Sequence, residues 1–204
     1  MTYDPLPNAE LAAVVTYLEM RSPPEQRIPL SALSLKRIKV PQPEHYRELF
    51  RLVGAPWLWF SRLILDDAHL ASIIQHPKVE LYSVLDENGR EAGMVELDFR
   101  EAGECELAFV GLVPELSGKG HGRWLLAQAV SRAWREDVDR VHVHTCSLDH
   151  PAALAAYRRA GFTPYKRAIE RFPDPRLHGI LPRDVAPQVP LLGTPAPAGS
   201  RPAS

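Results

Sequence analysis

The 204-residue sequence is poor in the features that mark several classes of protein. It has only two cysteines, Cys105 and Cys146, which cannot form a disulfide framework and favour a reducing, cytoplasmic location. No apolar run approaches the roughly 18 residues of a membrane span, and residues 1–10 lack the basic and then apolar layout of a secretory signal. The 24 basic and 25 acidic residues leave a net charge of −1, which indicates neither a nucleic-acid surface nor a polybasic membrane patch.

The length and composition are typical of one globular domain with an extension at each end. Residues 1–32 are expected to form the N-terminal extension. Within it, residues 11–18 could form an extra strand or a short helix, and β-branched and aromatic side chains there favour the strand. Residues 33–172 are expected to form the main domain.

A proline-rich tail follows, since residues 173–204 contain eight of the 20 prolines. Residues 177–192 carry apolar side chains that need cover, so we expect them to pack on the domain. Residues 193–204 are expected to be disordered. The N-terminal strand and this tail are also the segments through which a homodimer could form.

Hydrophobic periodicity between residues 33 and 172 predicts a sheet flanked by helices. The predicted strands are 33–40, 79–85, 92–99, 106–113, 140–146 and 162–171, and the predicted helices are 43–53, 66–75, 120–136 and 151–160. Asn88-Gly89 is a hairpin signal, whereas the strand, helix and strand between residues 106 and 146 imply parallel pairing. The fold class is therefore α/β, of the mixed α+β type, with a mixed, mostly antiparallel central sheet.

The most informative stretch runs from Val113 to Arg123. A loop with glycine at positions 118, 120 and 122 joins an apolar strand to an amphipathic helix there. Glycine leaves the backbone bare, so successive N–H groups can close around an anion. The helix adds unpaired N–H donors and the positive end of its dipole. The pattern therefore predicts a site for a phosphate-bearing ligand.

Two common phosphate-binding motifs do not fit this loop. The nucleotide P-loop requires Ser or Thr after its Gly-Lys pair and a glycine five residues before that pair, but Gly120 follows Lys119 and Val113 stands at the earlier position. The dinucleotide fingerprint requires a third glycine where Arg123 stands.

Three segments between residues 94 and 171 together match a third design. Gly120 and Gly122 fit the small positions of an acetyl-CoA loop written Gln/Arg-x-x-Gly-x-Gly/Ala. Residues 104–114 form the preceding strand, and residues 149–162 form a late helix that ends in Gly-Phe. In these segments the chain resembles the GNAT family of N-acetyltransferases. The resemblance implies the acyl-CoA N-acyltransferase fold, with a V-shaped splay between the fourth and fifth strands of its sheet.

The resemblance implies transfer of an acetyl group from acetyl-CoA to a primary amine, by direct attack through a tetrahedral intermediate and without a metal. Two alternatives stay open. One is a transferase that uses a longer acyl-CoA, and the other is a non-catalytic acyl-CoA sensor or interaction module. The expected partner is a small-molecule, peptide or protein amine, with no nucleic acid and no membrane.

By the same resemblance, acetyl-CoA is expected to bind across the splayed strands. Its pantetheine arm would pair with the main chain at Leu112 and Val113, where one N–H would face the oxyanion and Pro114 ends the ladder. The other residues expected to hold the cofactor are Ser117, Gly118, Lys119, Gly120, His121, Gly122, Arg123 and His150. Ser117 stands where the family prefers Gln or Arg, and His150 stands where it commonly has Asn.

Tyr157 and Glu106 are the catalytic residues that the resemblance implies. Tyr157 occupies the position of the general acid that protonates the departing thiolate, although a tyrosine that only packs on the core is the alternative. Glu106 is the candidate base, with a pKa expected to be raised by partial burial. A salt-bridged Glu106, or proton transfer through ordered water, is the alternative to that role. Asp98 and Glu96 are weaker options that could bind the acceptor amine.

Aromatic residues mark the expected acceptor side. In the family, the loop that here contains Trp57, Trp59 and Phe60 borders the acceptor pocket. Together with Glu106 it would suit an apolar, aromatic or peptide-like amine. The alternative is a hydrophobic plug beneath the sheet.

His142, His144 and Cys146 alternate along one strand and therefore share a face. The pattern permits zinc binding, but a fourth ligand is not evident. We therefore expect packing or a polar sheet face here, and no metal.

Overall fold

The computed structural model describes residues 3–25 and 27–194, which form one seven-stranded sheet with four α-helices. The strands are β1 Glu10–Met20, β2 Ser34–Ile38, β3 Val79–Leu85, β4 Glu91–Asp98, β5 Glu104–Leu112, β6 Arg140–Cys146 and β7 Thr163–Pro173. The helices are α1 Pro43–Gly54, α2 Asp67–Ile74, α3 His121–Ala133 and α4 Ala153–Arg159. The strand order is β2-β3-β4-β5-β6-β1-β7.

The sheet divides where β5 and β6 diverge. These two strands are parallel and pair only at Glu104, Cys105 and Glu106, whereas every other neighbouring pair is antiparallel. From Leu107 onward, the edge of β5 that faces β6 has no strand partner. The predicted mixed, mostly antiparallel sheet with a V-shaped splay is therefore confirmed.

The N-terminal strand lies inside the sheet. Residues 11–18 do form a strand, as expected, and β1 pairs antiparallel with both β6 and β7. The side chains of Val15, Leu18 and Met20 are buried. Because β1 has a neighbour on each side, β7 rather than β1 forms the edge of this half of the sheet.

Helices cover both faces of the sheet. In α1 the buried side chains Tyr46, Leu49, Phe50 and Val53 recur at helical spacing and pack with α2 against β3 and β4. The other face is covered by α3, which buries Trp124, Leu125, Leu126, Ala129 and Val130 against β1, β4, β5 and β6. No helix in the described ranges is both long enough and apolar enough to cross a bilayer.

Part of the C-terminal tail is packed, as expected for residues 177–192. Leu177 and Leu181 are buried, and Leu181 joins Leu58 in a small apolar cluster. Asp174 and Arg176 form a buried ion pair at 2.7 Å beside it. Most of the segment for which we expect disorder, residues 193–204, lies outside the described residues.

Candidate active site

A cavity of about 1070 Å³ opens where β5 and β6 diverge. It brings together most of the residues that the sequence suggested, although they come from distant parts of the chain. The predicted residues that line it are Trp57, Trp59, Glu106, Leu112, Ser117, Gly118, Gly120, Gly122, Arg123, His150 and Tyr157. Three others, Val113, Lys119 and His121, do not line it. Lys119 is exposed to solvent, and Nδ1 of His121 contacts the Ser31 hydroxyl at 3.0 Å.

The glycine loop presents free backbone donors to this cavity. Gly118 and Gly120 have φ angles of +76° and +82°, which glycine adopts without strain. In the part of the chain that the structure describes, no N–H group of residues 118–122 has a protein acceptor. A Cβ atom on Gly122 would meet open space. A row of free donors at the positive end of α3 fits a diphosphate.

Ser117 and His150 contact each other beside the loop. The Ser117 hydroxyl lies 3.4 Å from Nε2 of His150, and Nδ1 of His150 accepts from the Ala152 N–H at 3.1 Å. Since Nδ1 is an acceptor, this network assigns the ring proton to Nε2. The ring also packs edge-on against Trp57, with centroids 5.0 Å apart. Ser117 and His150, the two residues that differ from the family pattern, thus contact each other at the cavity.

The open edge of β5 distinguishes the two candidate oxyanion donors. The Val113 N–H donates to Ala92 O at 3.0 Å, so it points toward β4 and not into the splay. Successive N–H groups along a strand alternate in direction, so those of Leu112 and Val110 face the unpaired edge. Leu112 is therefore the candidate that remains, and Val110 is a second open donor. Because N–H groups along a strand alternate in direction, Val110 could have been identified from the sequence once the register between β4 and β5 was known.

Tyr157, on α4, is half-buried at the cavity wall. Its ring packs edge-on against Phe162, with centroids 5.8 Å apart. Within the described residues its hydroxyl makes no hydrogen bond to protein. Burial chiefly, and then the negative charge of Asp149, raises the pKa of Tyr157 well above its ordinary value. The phenol therefore keeps its proton at neutral pH.

Glu106 differs from the expectation in its electrostatics. Its Oε1 atom lies 3.3 Å from Nδ1 of His144, on the neighbouring strand. The close contact with His144 is the main cause that lowers the pKa of Glu106, and it outweighs the opposing effect of burial. The expected raised pKa was wrong because it took account of the carboxylate's burial but not of its partner. The same contact raises the pKa of His144.

The His-x-His-x-Cys face is polar rather than a ligand cluster. Nε2 of His142 lies 3.5 Å from Glu104, and His144 faces Glu106. Burial raises the pKa of the Cys146 thiol to about 11, which keeps it protonated at neutral pH. Among residues 3–25 and 27–194, no three His, Cys, Asp or Glu side chains are grouped so that they could share a metal ion.

The two weaker carboxylate candidates are already engaged. Glu96 is completely buried and accepts hydrogen bonds from the Tyr46 hydroxyl and from Arg62. Asp98 is bound by both Nε and Nη2 of Arg100 at 2.6–3.0 Å. Neither carboxylate is free to bind an acceptor amine in this arrangement.

Trp59 forms a fixed part of the cavity wall, whereas Phe60 packs on Phe172 with centroids 5.1 Å apart. The Trp59 ring packs on Phe109 at 5.2 Å, and its Nε1 donates to Asp149 at 3.0 Å. Asp149 also accepts from the Thr145 hydroxyl and the Cys146 N–H. Sequence reasoning missed Asp149, and its only signal was a carboxylate three residues beyond a strand end.

The family model described as "Acetyltransferase (GNAT) family" matches residues 44–162, which is more than half of the chain. No curated protein matches the sequence. The matched residues include the aromatic loop, the open edge of β5, the glycine loop and Tyr157.

Solved structures with a similar fold come from several bacteria. They include a GCN5-related N-acetyltransferase from Sphaerobacter thermophilus (19% identity, TM-score 0.58, covering 79% of this chain and 51% of that chain). A second is a GCN5-related N-acetyltransferase from Kribbella flavida (18% identity, TM-score 0.53, covering 78% of this chain and 57% of that chain). A third is a putative GNAT-family acetyltransferase from Novosphingobium aromaticivorans (16% identity, TM-score 0.51, covering 80% of this chain and 66% of that chain).

These likenesses show the fold, and this chain spans about half to two thirds of the length of those solved proteins. The family model provides the remaining link, because it matches the sequence itself over the elements that build the cavity. The chain belongs to the GNAT acetyltransferase family.

Proposed function

We propose that this protein is an N-acetyltransferase that moves an acetyl group from acetyl-CoA to a primary amine. The observation that carries the proposal is the row of free N–H groups at residues 118–122, whose glycines line the same cavity as Tyr157 and Glu106. A diphosphate on this loop would direct the rest of the molecule into the splay between β5 and β6. The reactive thioester would then lie near Tyr157.

Each part of the donor has a matching surface. Residues 117–123 would hold the diphosphate, with Arg123 as a cationic partner. The pantetheine arm would pair with the open edge of β5, where the N–H groups of Val110 and Leu112 have no strand partner. In this proposal the Leu112 N–H also stabilises the developing oxyanion.

Tyr157 is proposed to protonate the departing thiolate. Its raised pKa keeps the hydroxyl protonated across the neutral range, which is the state that a general acid requires. A phenol without a protein acceptor is also free to approach the sulfur atom.

The acceptor amine is proposed to enter beside Trp57, Trp59 and Glu106. Aromatic rings suit an amine with an apolar, aromatic or peptide-like body, and the Glu106 carboxylate attracts the ammonium group. The two cysteines are free thiols, so we propose that the reaction takes place in the cytoplasm. A homodimer stays a prediction.

The test is CoA release from acetyl-, propionyl- and longer acyl-CoA donors in the presence of a panel of amines. The expected result is amine-dependent thiol release that is fastest with acetyl-CoA. Faster release from a longer donor would show that the acyl group is wrongly assigned. Saturable CoA binding without thiol release for any amine would indicate a sensor instead of an enzyme.

A further inference from the structure

We infer that His144 takes the proton from the acceptor ammonium, and that Glu106 is the positioning residue that holds its imidazole. This inference rests on the proposed acetyltransferase function and assigns its base. Glu106 is on β5 and His144 is on β6, at the point where the two strands begin to diverge. Both side chains line the cavity.

The two ring nitrogens of His144 have different surroundings, because one contacts Glu106 and the other has no protein partner among the described residues. Nδ1 of His144 lies 3.3 Å from Oε1 of Glu106. In the described part of the chain, Nε2 of His144 has no protein partner. The side chain of His144 is 49% exposed and that of Glu106 is 33% exposed, so solvent and substrate can reach the pair. A neutral imidazole held through Nδ1–H presents Nε2 as a proton acceptor.

Proton affinity favours the imidazole over the carboxylate. Contact with His144 lowers the pKa of Glu106 from its ordinary value of 4.5, so at neutral pH this carboxylate is a weak acceptor for an ammonium proton. The same contact raises the pKa of His144 from its ordinary value of 6.5. A base works best when its pKa lies near the operating pH, and the contact moves the pKa of the imidazole upward from 6.5 while it moves that of the carboxylate downward from 4.5.

The charges that act on His144 besides that of Glu106 are acidic, since Asp149 and Glu170 both raise its pKa. On β1 the Tyr17 ring lies 5.8 Å from the His144 ring, and Nζ of Lys166 on β7 lies 4.8 Å from the centroid of the Tyr17 ring. Other charged or titratable groups on the surrounding elements include Glu19 on β1, Asp98 on β4, Glu104 on β5, Arg140, His142 and Cys146 on β6, Asp149 after β6, and Tyr165, Arg167 and Glu170 on β7.

The reaction balances with His144 and Tyr157 as the two proton carriers. Nε2 of His144 accepts one proton from the ammonium and later releases it to solvent. The neutral amine forms the C–N bond at the thioester carbon, and the C–S bond then breaks. Tyr157 gives its proton to the thiolate, and the second proton lost by nitrogen restores the phenol through solvent. The net products are an amide, a thiol and one proton.

The first experiment is a pH–rate profile of kcat/KM with acetyl-CoA and the best amine of the panel. The rate should rise with pH through a midpoint above 6.5, the ordinary pKa of histidine. The substitution Glu106→Gln should move that midpoint to lower pH, because it removes the charge that stabilises the imidazolium. His144→Gln should lower kcat/KM by about 100-fold or more and abolish this limb.

His142→Gln is the matched control. It lies two residues earlier on the same face of β6 and contacts Glu104, but it does not line the cavity. Its kcat/KM and acid limb should equal those of wild type. Affinity for acetyl-CoA, measured by calorimetry, should be unchanged in all three variants, since none of these side chains belongs to the phosphate loop.

A second readout needs no acceptor. In ¹H–¹³C NMR spectra recorded against pH, the His144 ring should titrate above 6.5 in wild type and at lower pH in Glu106→Gln. An unchanged midpoint in that variant would overturn the pairing. A rate limb below pH 4.5, or a fully active His144→Gln, would overturn the role of His144 while leaving acetyl transfer intact. Absence of transfer to every amine, with normal acetyl-CoA binding and the expected NMR shift, would instead contradict the proposed function.

Discussion

Asp149 joins two walls of the cavity that lie 90 residues apart in the chain. It accepts from Trp59 on one wall and from Thr145 and Cys146 at the end of β6 on the other. Its charge also contributes to the raised pKa of Tyr157. A single carboxylate therefore fixes the cavity wall at Trp59 and favours the protonated form of the proposed acid.

The substitution Tyr157→Phe tests the acid at the scale of one oxygen atom. It should lower kcat by about 100-fold, because the thiolate then leaves without a protein proton donor. The affinity for acetyl-CoA should not change, since the ring still packs on Phe162. Tyr165→Phe is the control, because Tyr165 is 47% exposed and does not line the cavity. Equal kcat values for the two variants would remove Tyr157 from the mechanism.

The chemical role of a residue could be predicted where it depended on the residue type alone. The prediction failed where the role depended on a neighbour that is close in space but distant in the chain. The sequence identified Glu106 as a partly buried carboxylate. The direction of its pKa shift depends on His144, 38 positions later, and on the register of two parallel strands. The direction of the Val113 N–H likewise depends on its pairing with Ala92. The period of two fixes which face each side chain occupies, but no tight turn joins β5 to β6, so their register is known only once the two strands have paired.

At the scale of elements, the glycine loop and α3 act together. Gly120 is the N-cap of α3 with φ +82°, and the hairpin glycine Gly89 has φ +76°. A Cβ atom at either position meets nothing within 4 Å. Both positions therefore require a left-handed backbone conformation, but of the two only Gly120 lines the cavity.

A comparison of alanine substitutions at Gly120 and Gly89 distinguishes an effect on ligand binding from an effect on folding stability. Alanine at either position should destabilise the protein by about 1–2 kcal/mol, the cost of a left-handed backbone with a Cβ atom. Only Gly120→Ala should weaken CoA binding, by about ten-fold, because relief of the strained φ turns an N–H group of the loop away from the diphosphate and so loses about one charge-assisted hydrogen bond. Denaturant unfolding and calorimetry measure the two quantities. Equal CoA affinities in both variants would contradict a diphosphate at this loop.

The position of β1 shows why the order of elements was harder to predict than their existence. Val14, Val15 and Thr16 favour a strand by their side chains alone. Insertion of that strand between β6 and β7 depends on which edges remain open after the rest of the sheet has formed. Nothing in the local pattern distinguishes an interior strand from an extension that lies outside the sheet.

At the scale of the whole molecule, the C-terminal segment supports the cavity wall that contains Leu58. Leu58 and Ala186 both have positive φ angles, of 58° and 52°, and both belong to the cluster around Leu181. The side-chain amide of Gln188 also donates to Pro56 O at 2.7 Å. Leu58 lines the cavity, so this segment holds a cavity wall without contributing a residue to it.

The buried Asp174–Arg176 pair anchors that segment. Arg176 also donates to the carbonyl oxygens of Val185, Ala186 and Val189. Arg176→Met should lower the free energy of unfolding by about 3–5 kcal/mol, because it leaves Asp174 buried without its partner. Arg171→Met breaks the exposed pair with Asp4 and should cost at most about 1 kcal/mol. Equal losses in urea denaturation would contradict the anchoring role.

The assignment of this fold to acetyl transfer depends most directly on CoA binding by the folded chain. Calorimetric titration of the wild-type protein with CoA should show saturable binding with one site per chain. A crystal structure of that complex should place the diphosphate against the backbone N–H groups of residues 118–122. A folded protein that shows no saturable binding, or a complex with the diphosphate elsewhere, would contradict the account.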